Sequence, residues 1–280
     1  MWQRQPRGPS ERQATDSSQI SDKVKKETET FQISPAHGTV VDSQTITMSG
    51  KSEPNSLVLI YSNDTSGVAK THEDGSYQLQ SSLEPGLNLL KIIFVSPSGQ
   101  ITQEENLTLY FSQKDVGKTV AAGSVKSIFD NLVTVTTQTE DINIRTAKST
   151  IFDVPKEEDV KEATEEVDNI RIGDYVIATG DASDQDSLIA KNLQVIRTNK
   201  PQLTKQMVIA KIASTLRQNI FSAKNNKDAK IIEFTLDKNS EILQDGNEVK
   251  SEIITKDKSA IIFYTEDNDT SLIDLIYLLP

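Results

Sequence analysis

The chain has 280 residues with 30 Lys and Arg against 41 Asp and Glu, a formal charge of -11 that repels a phosphate backbone and argues against nucleic acid as a partner. Cysteine is absent and histidine occurs only at His37 and His72, which removes disulfides, thiolate metal sites, a cysteine nucleophile and an all-histidine metal centre. The length allows two or three cores of ordinary size, about 100 to 150 residues each, and no window carries the roughly 18 to 20 apolar residues that a helical membrane span needs.

Residues 1–30 hold Ser, Gln, Thr, Lys and Glu with almost no large apolar side chain, so ordering them costs backbone entropy that burial does not offset. A flexible tether is expected there. Its opening, Met1-Trp2-Gln3-Arg4-Gln5-Pro6-Arg7, matches the aromatic and basic flank that follows a membrane span. The corresponding expectation is a native chain that begins upstream with a signal or anchor absent from this sequence, a disordered start being the alternative.

From residue 31 to 112 short alternating runs are separated by Gly, Pro, Asn and Asp, the pattern of half-buried strands and their turns. In Thr45-Ile46-Thr47-Met48 apolar side chains alternate with threonines; Leu57, Leu59 and Tyr61 share one face, and Tyr77 with Leu79 makes another short strand. Asn88, Leu90, Ile92 and Phe94 recur at period two, as do Leu107, Leu109 and Phe111. With an opening strand near Phe31 and a short one near Val68, about seven strands are expected, the size of an immunoglobulin-like sandwich. Pro35, Gly38, Gly50, Pro54, the run Asp74-Gly75-Ser76-Tyr77, and then Leu83, Gly86 and Asn88 resemble the bacterial immunoglobulin-like modules of exported and cell-surface proteins. That resemblance implies a spacer, adhesive or carbohydrate-associated role and brings no catalytic residue.

After a short linker at 113–118 a second β unit opens. Its landmarks are Gly123-Ser124-Val125, the alternating Leu132-Val133-Thr134-Val135-Thr136, Ile142 and Ile144, then Ile172-Gly173-Asp174-Tyr175-Val176, Gly180, and a last strand through Leu193 and Val195. This order resembles a small, uncharacterised OB-like barrel family of bacterial exported proteins. The glycines suit it, because closing a small barrel needs bends that a Cβ obstructs. Between these strands, Val160, Ala163 and Val167 fall at helical spacing among six carboxylates, so residues 156–167 are expected to form a short helix over one barrel opening with a solvated acidic face. Calcium loops interleave Asp, Asn and Gly, which this run does not.

Beyond Asn199-Lys200-Pro201 the pattern repeats at roughly 83 to 87 residues: Ser187-Leu188-Ile189 recurs as Ser271-Leu272-Ile273, Gly173-Asp174 is echoed by Lys256-Asp257, and the strand around Val125 by that around Ile212. The second copy is degenerate. It has Ala210 for Gly123 and a Phe263-Tyr264-Thr265 stretch at the late glycine, and one alternative is that it packs against the first copy as one unit.

No phosphate-cradling Gly-rich loop, HExxH or GxSxG motif occurs. His72, Glu73 and Asp74 sit on a strand and turn where neighbouring side chains diverge, so they do not converge on a reacting atom. Sugar recognition stacks aromatic rings, and the candidates are Tyr61, Tyr77, Tyr110, Tyr175 and Tyr264, most of them better explained by core or inter-strand packing. The basic side chains of the second unit, Lys126, Arg145, Lys148, Arg171 and Lys191, are outnumbered by acids, which disfavours a single-strand-binding groove. Sequons at Asn63, Asn106 and Asn268 carry no meaning in a bacterial chain.

The sequence therefore predicts an all-β protein: a tether at 1–30, an immunoglobulin-like β-sandwich at 31–112, and OB-like β-barrels at 119–198 and 204–280, the latter degenerate. It predicts no catalytic, cofactor-binding or metal-binding residue. The function expected is that of a non-catalytic bacterial structural or interaction protein, its domains in series as spacer or adhesive module at the cell surface or in another exported compartment. A carbohydrate- or cell-wall-binding protein is the alternative, and would carry an exposed aromatic groove on one β-face. Expected partners are a protein or a cell-wall glycan, with the membrane reached only through an upstream anchor.

Overall fold

The computed structural model describes residues 33–155, 167–184, 186–214, 217, 219–267 and 270–280. The tether expected over 1–30 and Asn268 of the third sequon lie outside them. So does the acidic helix expected over 156–167, except for its last residue, which opens a 3-10 turn at Val167–Asn169. The chain is an all-β protein, an immunoglobulin-like sandwich followed by two OB-like barrels.

Eight strands build the sandwich: β1 (Ile33–Ser34), β2 (Thr39–Val41), β3 (Thr45–Lys51), β4 (Leu57–Tyr61), β5 (Ser66–Lys70), β6 (Ser76–Ser82), β7 (Gly86–Val95) and β8 (Ile101–Phe111). β1, β3 and β6 form one sheet; β2, β8, β7, β4 and β5, in that order, form the facing one. Alternation along each strand decides which side chains meet between the sheets. Ile46 and Met48, Tyr77, then Leu90, Ile92 and Phe94, and Leu107, Leu109 and Phe111 close on one core, with Tyr77 edge-on to Phe94 at 6.0 Å between centroids. The turn before β6 is tight for a visible reason: Gly75 takes φ +78°, and a Cβ there would lie 2.2 Å from the Ser52 carbonyl oxygen.

Strand β4 departs from simple alternation. Its five residues, Leu-Val-Leu-Ile-Tyr, are all buried. Val58 and Ile60 enter the sandwich core, whereas Leu57, Leu59 and Tyr61, the face that alternation singles out, point away from it into a second core. A continuous apolar run of this length is what a strand covered on both faces requires.

The first barrel comprises β9 (Thr119–Phe129), β10 (Leu132–Thr136), β11 (Asp141–Arg145), β12 (Ile151–Asp153), β13 (Tyr175–Asp184) and β14 (Ser187–Ile196). β9, β10 and β11 pair antiparallel, β11 pairs in parallel with β14, and β14 returns through β13 to β9, so five strands close on themselves. Val133, Val135, Ile144, Val176, Ala178 and Leu193 fill the interior, with Val167 packed against it. β12 lies outside this ring, parallel to β14. Closure brings backbones into contact: a Cβ on Gly180 would lie 1.9 Å from the Ile189 carbonyl oxygen, and one on Gly123 2.2 Å from that of Thr136.

The second barrel repeats the connectivity with β15 (Gln206–Ile212), β16 (Ile220–Asn225), β17 (Ile231–Thr235), β18 (Glu241–Gln244), β19 (Asn247–Glu248), β20 (Ser259–Asp267) and β21 (Thr270–Leu278). β17 closes in parallel on β21, and β18 lies outside, again parallel to the last strand. Hydrogen bonds fix the correspondence between copies. The Val125 amide donates to the Asp174 carbonyl and the Ile212 amide to that of Lys258; each acceptor follows a residue at positive φ, Gly173 (90°) and Asp257 (73°). Val125 thus matches Ile212, and Gly123 matches Ala210. Two of the expected matches move by one residue. Gly173 corresponds to Asp257 and not Lys256, and the bulged β13–β14 and β20–β21 hairpins align Leu193 with Ile276, 83 residues on, so Ser187-Leu188-Ile189 corresponds to Thr270-Ser271-Leu272. A one-residue slip exchanges the two faces of a strand, so the pairing and not the likeness of residues decides the match.

Both barrels dock through the same outer face, drawn from the first, fourth and fifth ring strands, onto the outer surface of the five-stranded sandwich sheet. Val120, Ala122 and Ile177 of the first barrel meet Val40, Leu87 and Tyr110, and pairing of Thr39 with Thr119 carries the sheet across the junction. In the second barrel Ile209, Ile261, Phe263, Leu275 and Tyr277 meet Leu57, Leu59, Tyr61, Ile93 and Val95, with Tyr61 and Phe263 edge to face at 5.6 Å. The second copy therefore returns to the sandwich. Phe31–Pro280 is one compact unit.

Candidate functional site

The candidate tyrosines separate by position. Tyr61, Tyr77 and Tyr264 are buried in cores or the second interface, while Tyr110 and Tyr175 are half-buried against the first. Burial raises the hydroxyls of Tyr61 and Tyr77 to about 12, helped at Tyr61 by the negative charge of Glu104. Among the described residues the aromatic side chain most open to solvent is Phe129, 76% exposed at the β9–β10 turn. These rings do not make the aromatic groove that the carbohydrate alternative predicts.

Tyr110 does border a cleft of about 640 Å³ where the sandwich meets the first barrel. One wall is Pro85, Gly86 and Phe111 with the Gln44 side chain; the other is β12 and β14, which contribute Ile151, Asp153, Asn192 and Gln194. The pairing of β12 with β14 sets Asp153 beside Gln194, whose Nε2 donates to Asp153 Oδ2 at 3.0 Å. Asn192 Nδ2 donates to Thr179 Oγ1 at 3.3 Å. Ile151 is 66% exposed, an apolar side chain on a polar-rimmed wall.

The connection between sandwich and barrel crosses this cleft and is pinned at several points. The Ser112 amide donates to the Val41 carbonyl, Ser112 Oγ accepts the Lys114 amide, and Asp115 Oδ1 accepts the Gly117 amide and Lys191 Nζ. Lys191 holds the Asp115 carboxyl below its ordinary range, and Asp115, with Asp181, raises the Lys191 ammonium in return.

A second cleft, about 580 Å³, lies between the sandwich and the second barrel and is bordered by the Lys91–Glu104 ion pair, Gln100, Ile101 and Asn226. Close by, polar groups clamp the interdomain segment. Asn63 Nδ2 donates to the Gln202 carbonyl at 2.8 Å, and Asn63 Oδ1 accepts the Thr204 amide and hydroxyl at 2.7 and 3.0 Å and the Lys205 amide at 3.3 Å. Buried Lys205 reaches Asp274 at 2.9 Å and Ser66 at 3.2 Å. Asn63, a sequon residue in the sequence, is here a structural clamp.

The other residues weighed from the sequence are held in local structure. Asp74 accepts the amide and hydroxyl of Ser76 at 2.9 and 2.6 Å, which lowers its carboxyl pKa. His37 Nδ1 lies 3.2 Å from both the Thr108 amide and the Asn106 carbonyl, tying the turn before β2 to β8. Lys126 pairs with Asp141, and Asp174 accepts the Arg171 amide and Arg197 Nε, so the Gly-Asp turn anchors the barrel's last strand. Among the described residues no cluster of His, Asp and Glu is arranged to hold a metal ion, and no helix is long and apolar enough to cross a membrane. Asp153, Asn192 and Gln194 escaped sequence reasoning because no motif joins them.

No family model matches the chain, and no curated protein matches it. Among solved structures, the Drosophila Unr CSD456 structure aligns at 11% identity over 82% of this chain and 98% of its own, with a TM-score of 0.22. A structure concerned with host cell surface retention of a 1.5-MDa bacterial ice-binding adhesin aligns at 8% identity over 86% of this chain and 92% of its own, with a TM-score of 0.21. Superpositions at that level carry no argument, and the fold rests on the strand pairing described above.

Proposed function

We propose that this is a non-catalytic structural and interaction protein of a bacterial cell surface or other exported compartment, whose three β modules act as one rigid spacer or adhesive body. The observation that carries this reading is that each barrel joins the sandwich through an apolar core. Interfaces of that kind resist the relative motion expected of modules joined by a bare linker. Residues 1–30 then serve as a tether, and exposed faces of the body meet a protein or a cell-wall glycan. Antibodies against residues 31–280, applied to intact cells of the source bacterium, test the assignment. Labelling of intact cells that protease shaving removes is the expected result; labelling only after lysis would overturn the surface location.

A second reading, a carbohydrate- or cell-wall-binding protein, is favoured by one observation: the cleft at Tyr110 is bordered by side-chain amides and a carboxylate.

A further inference from the structure

The duplication allows one barrel to be compared with the other inside a single chain. β12 faces β14 through Ile151 with Asn192 and Asp153 with Gln194, as β18 faces β21 through Glu241 with Leu275 and Leu243 with Tyr277. Asp153 therefore occupies the position of Leu243, Asn192 that of Leu275, and Gln194 that of Tyr277. In the second barrel those three apolar side chains pack into the interface core with the sandwich. In the first barrel the same three positions carry a carboxylate and two amides, and there the docking surface parts into the 640 Å³ cleft. Scaffold and docking face are shared although only the first barrel also pairs with the sandwich sheet, and at these three positions the two copies differ in polarity.

We infer that this cleft is a binding site for a neutral oligosaccharide, an inference that rests on the second reading above and gives it a location. Sugar hydroxyls both donate and accept, and the Asp153–Gln194 pair sets acceptor oxygens beside an amide in fixed register, as neighbouring hydroxyls on one ring require. Tyr110 and exposed Ile151 offer apolar surface to the C–H face of a sugar ring. The volume falls within the range of small-molecule sites, about 300 to 1,000 Å³. Asp153 and Lys114 balance within the lining, which leaves the cleft without a net charge, and the chain's charge of -11 disfavours anionic ligands. Both walls are fixed before binding, one by the sandwich sheet and the other by the barrel joined to it through Thr39 and Thr119, so little ordering cost attends ligand entry.

Isothermal titration of the whole chain with chitotetraose and maltotetraose, beside co-sedimentation with insoluble peptidoglycan, tests this. Saturable binding of a soluble tetramer is expected, with Kd tighter than about 1 mM; binding to peptidoglycan alone, whose stem peptides carry carboxylates, overturns a neutral sugar as the ligand. The variant Asp153→Leu, Asn192→Leu, Gln194→Tyr copies the second barrel into the first, and it lowers affinity more than about tenfold. Ile151→Ser, at an exposed position, weakens binding without altering the circular dichroism spectrum and decides the matter if the triple variant does not fold. Binding that survives Ile151→Ser and a folded triple variant, or that is lost on Phe129→Ala instead, overturns the cleft assignment while leaving carbohydrate binding in place. Absence of binding to every probe overturns both, and the rigid-body reading then stands alone.

Discussion

Tyr77 sets its hydroxyl inside the sandwich core with no hydrogen-bond partner among the described residues. An unpaired buried hydroxyl costs about 1 to 3 kcal/mol, and removing it while keeping the ring keeps the Phe94 contact. Tyr77→Phe is therefore expected to stabilise the protein by about 1 kcal/mol in urea denaturation. The same burial governs alkaline behaviour. Tyr61 and Tyr77 are raised from 10.0 to about 12, so between those values the folded state keeps protons that the unfolded chain has lost. Their contribution is whole below pH 10 and falls as pH rises toward 12, by about 1.4 kcal/mol per pH unit for each tyrosine. Denaturation midpoints measured across that window should decline, and decline less steeply in Tyr77→Phe.

At the level of elements, β3 follows from alternation because one face lies in a single core, and in β7 Leu90, Ile92 and Phe94 enter that core as their period-two spacing predicts, while Ile93 and Val95 on the other face meet the second barrel. In β4 alternation groups Leu57, Leu59 and Tyr61 on one face but does not say which face meets the sandwich core, since both faces are buried. The segment after Asn199-Lys200-Pro201 is similar: it reads as a plain linker, yet Asn63 holds Gln202, Thr204 and Lys205 through four hydrogen bonds from 139 to 142 residues away. Asn63→Ala leaves those backbone groups without their partner and is expected to cost about 1 to 2 kcal/mol. Faster hydrogen exchange at the Thr204 and Lys205 amides, with the amides of β9 unchanged, would identify the loss as local. No change at either amide would count against the clamp.

For the whole molecule, the two interfaces differ in size and in consequence. A fragment of residues 204–280 uncovers Ile209, Ile261, Phe263, Leu275 and Tyr277 together, an apolar surface of the kind that drives self-association. One of residues 119–198 uncovers chiefly Val120, Ala122 and Ile177, and keeps Asp153, Asn192 and Gln194 in water. Sedimentation at equal concentration should find the second-barrel fragment self-associated or binding a hydrophobic dye, and the first-barrel fragment monomeric. Adding the sandwich, residues 31–112, should reverse the association.

The sequence by itself determined that the protein is all-β, with strands, turns and an internal duplication, because side-chain alternation and turn chemistry act over a few residues and leave their period in the chain. Likeness of residues came within one position of the true repeat in the last hairpin, but only the hydrogen-bond ladder and its bulge distinguish a spacing of 83 from 84. The tertiary structure alone decided that the second barrel returns to the sandwich, that Leu57, Leu59 and Tyr61 face outward to receive it, and that Asp153, Asn192 and Gln194 line one cleft. Contacts between faces of separate domains, such as that of Tyr61 with Phe263, join residues of different segments and impose no period on either strand. That is why they leave composition and spacing unmarked.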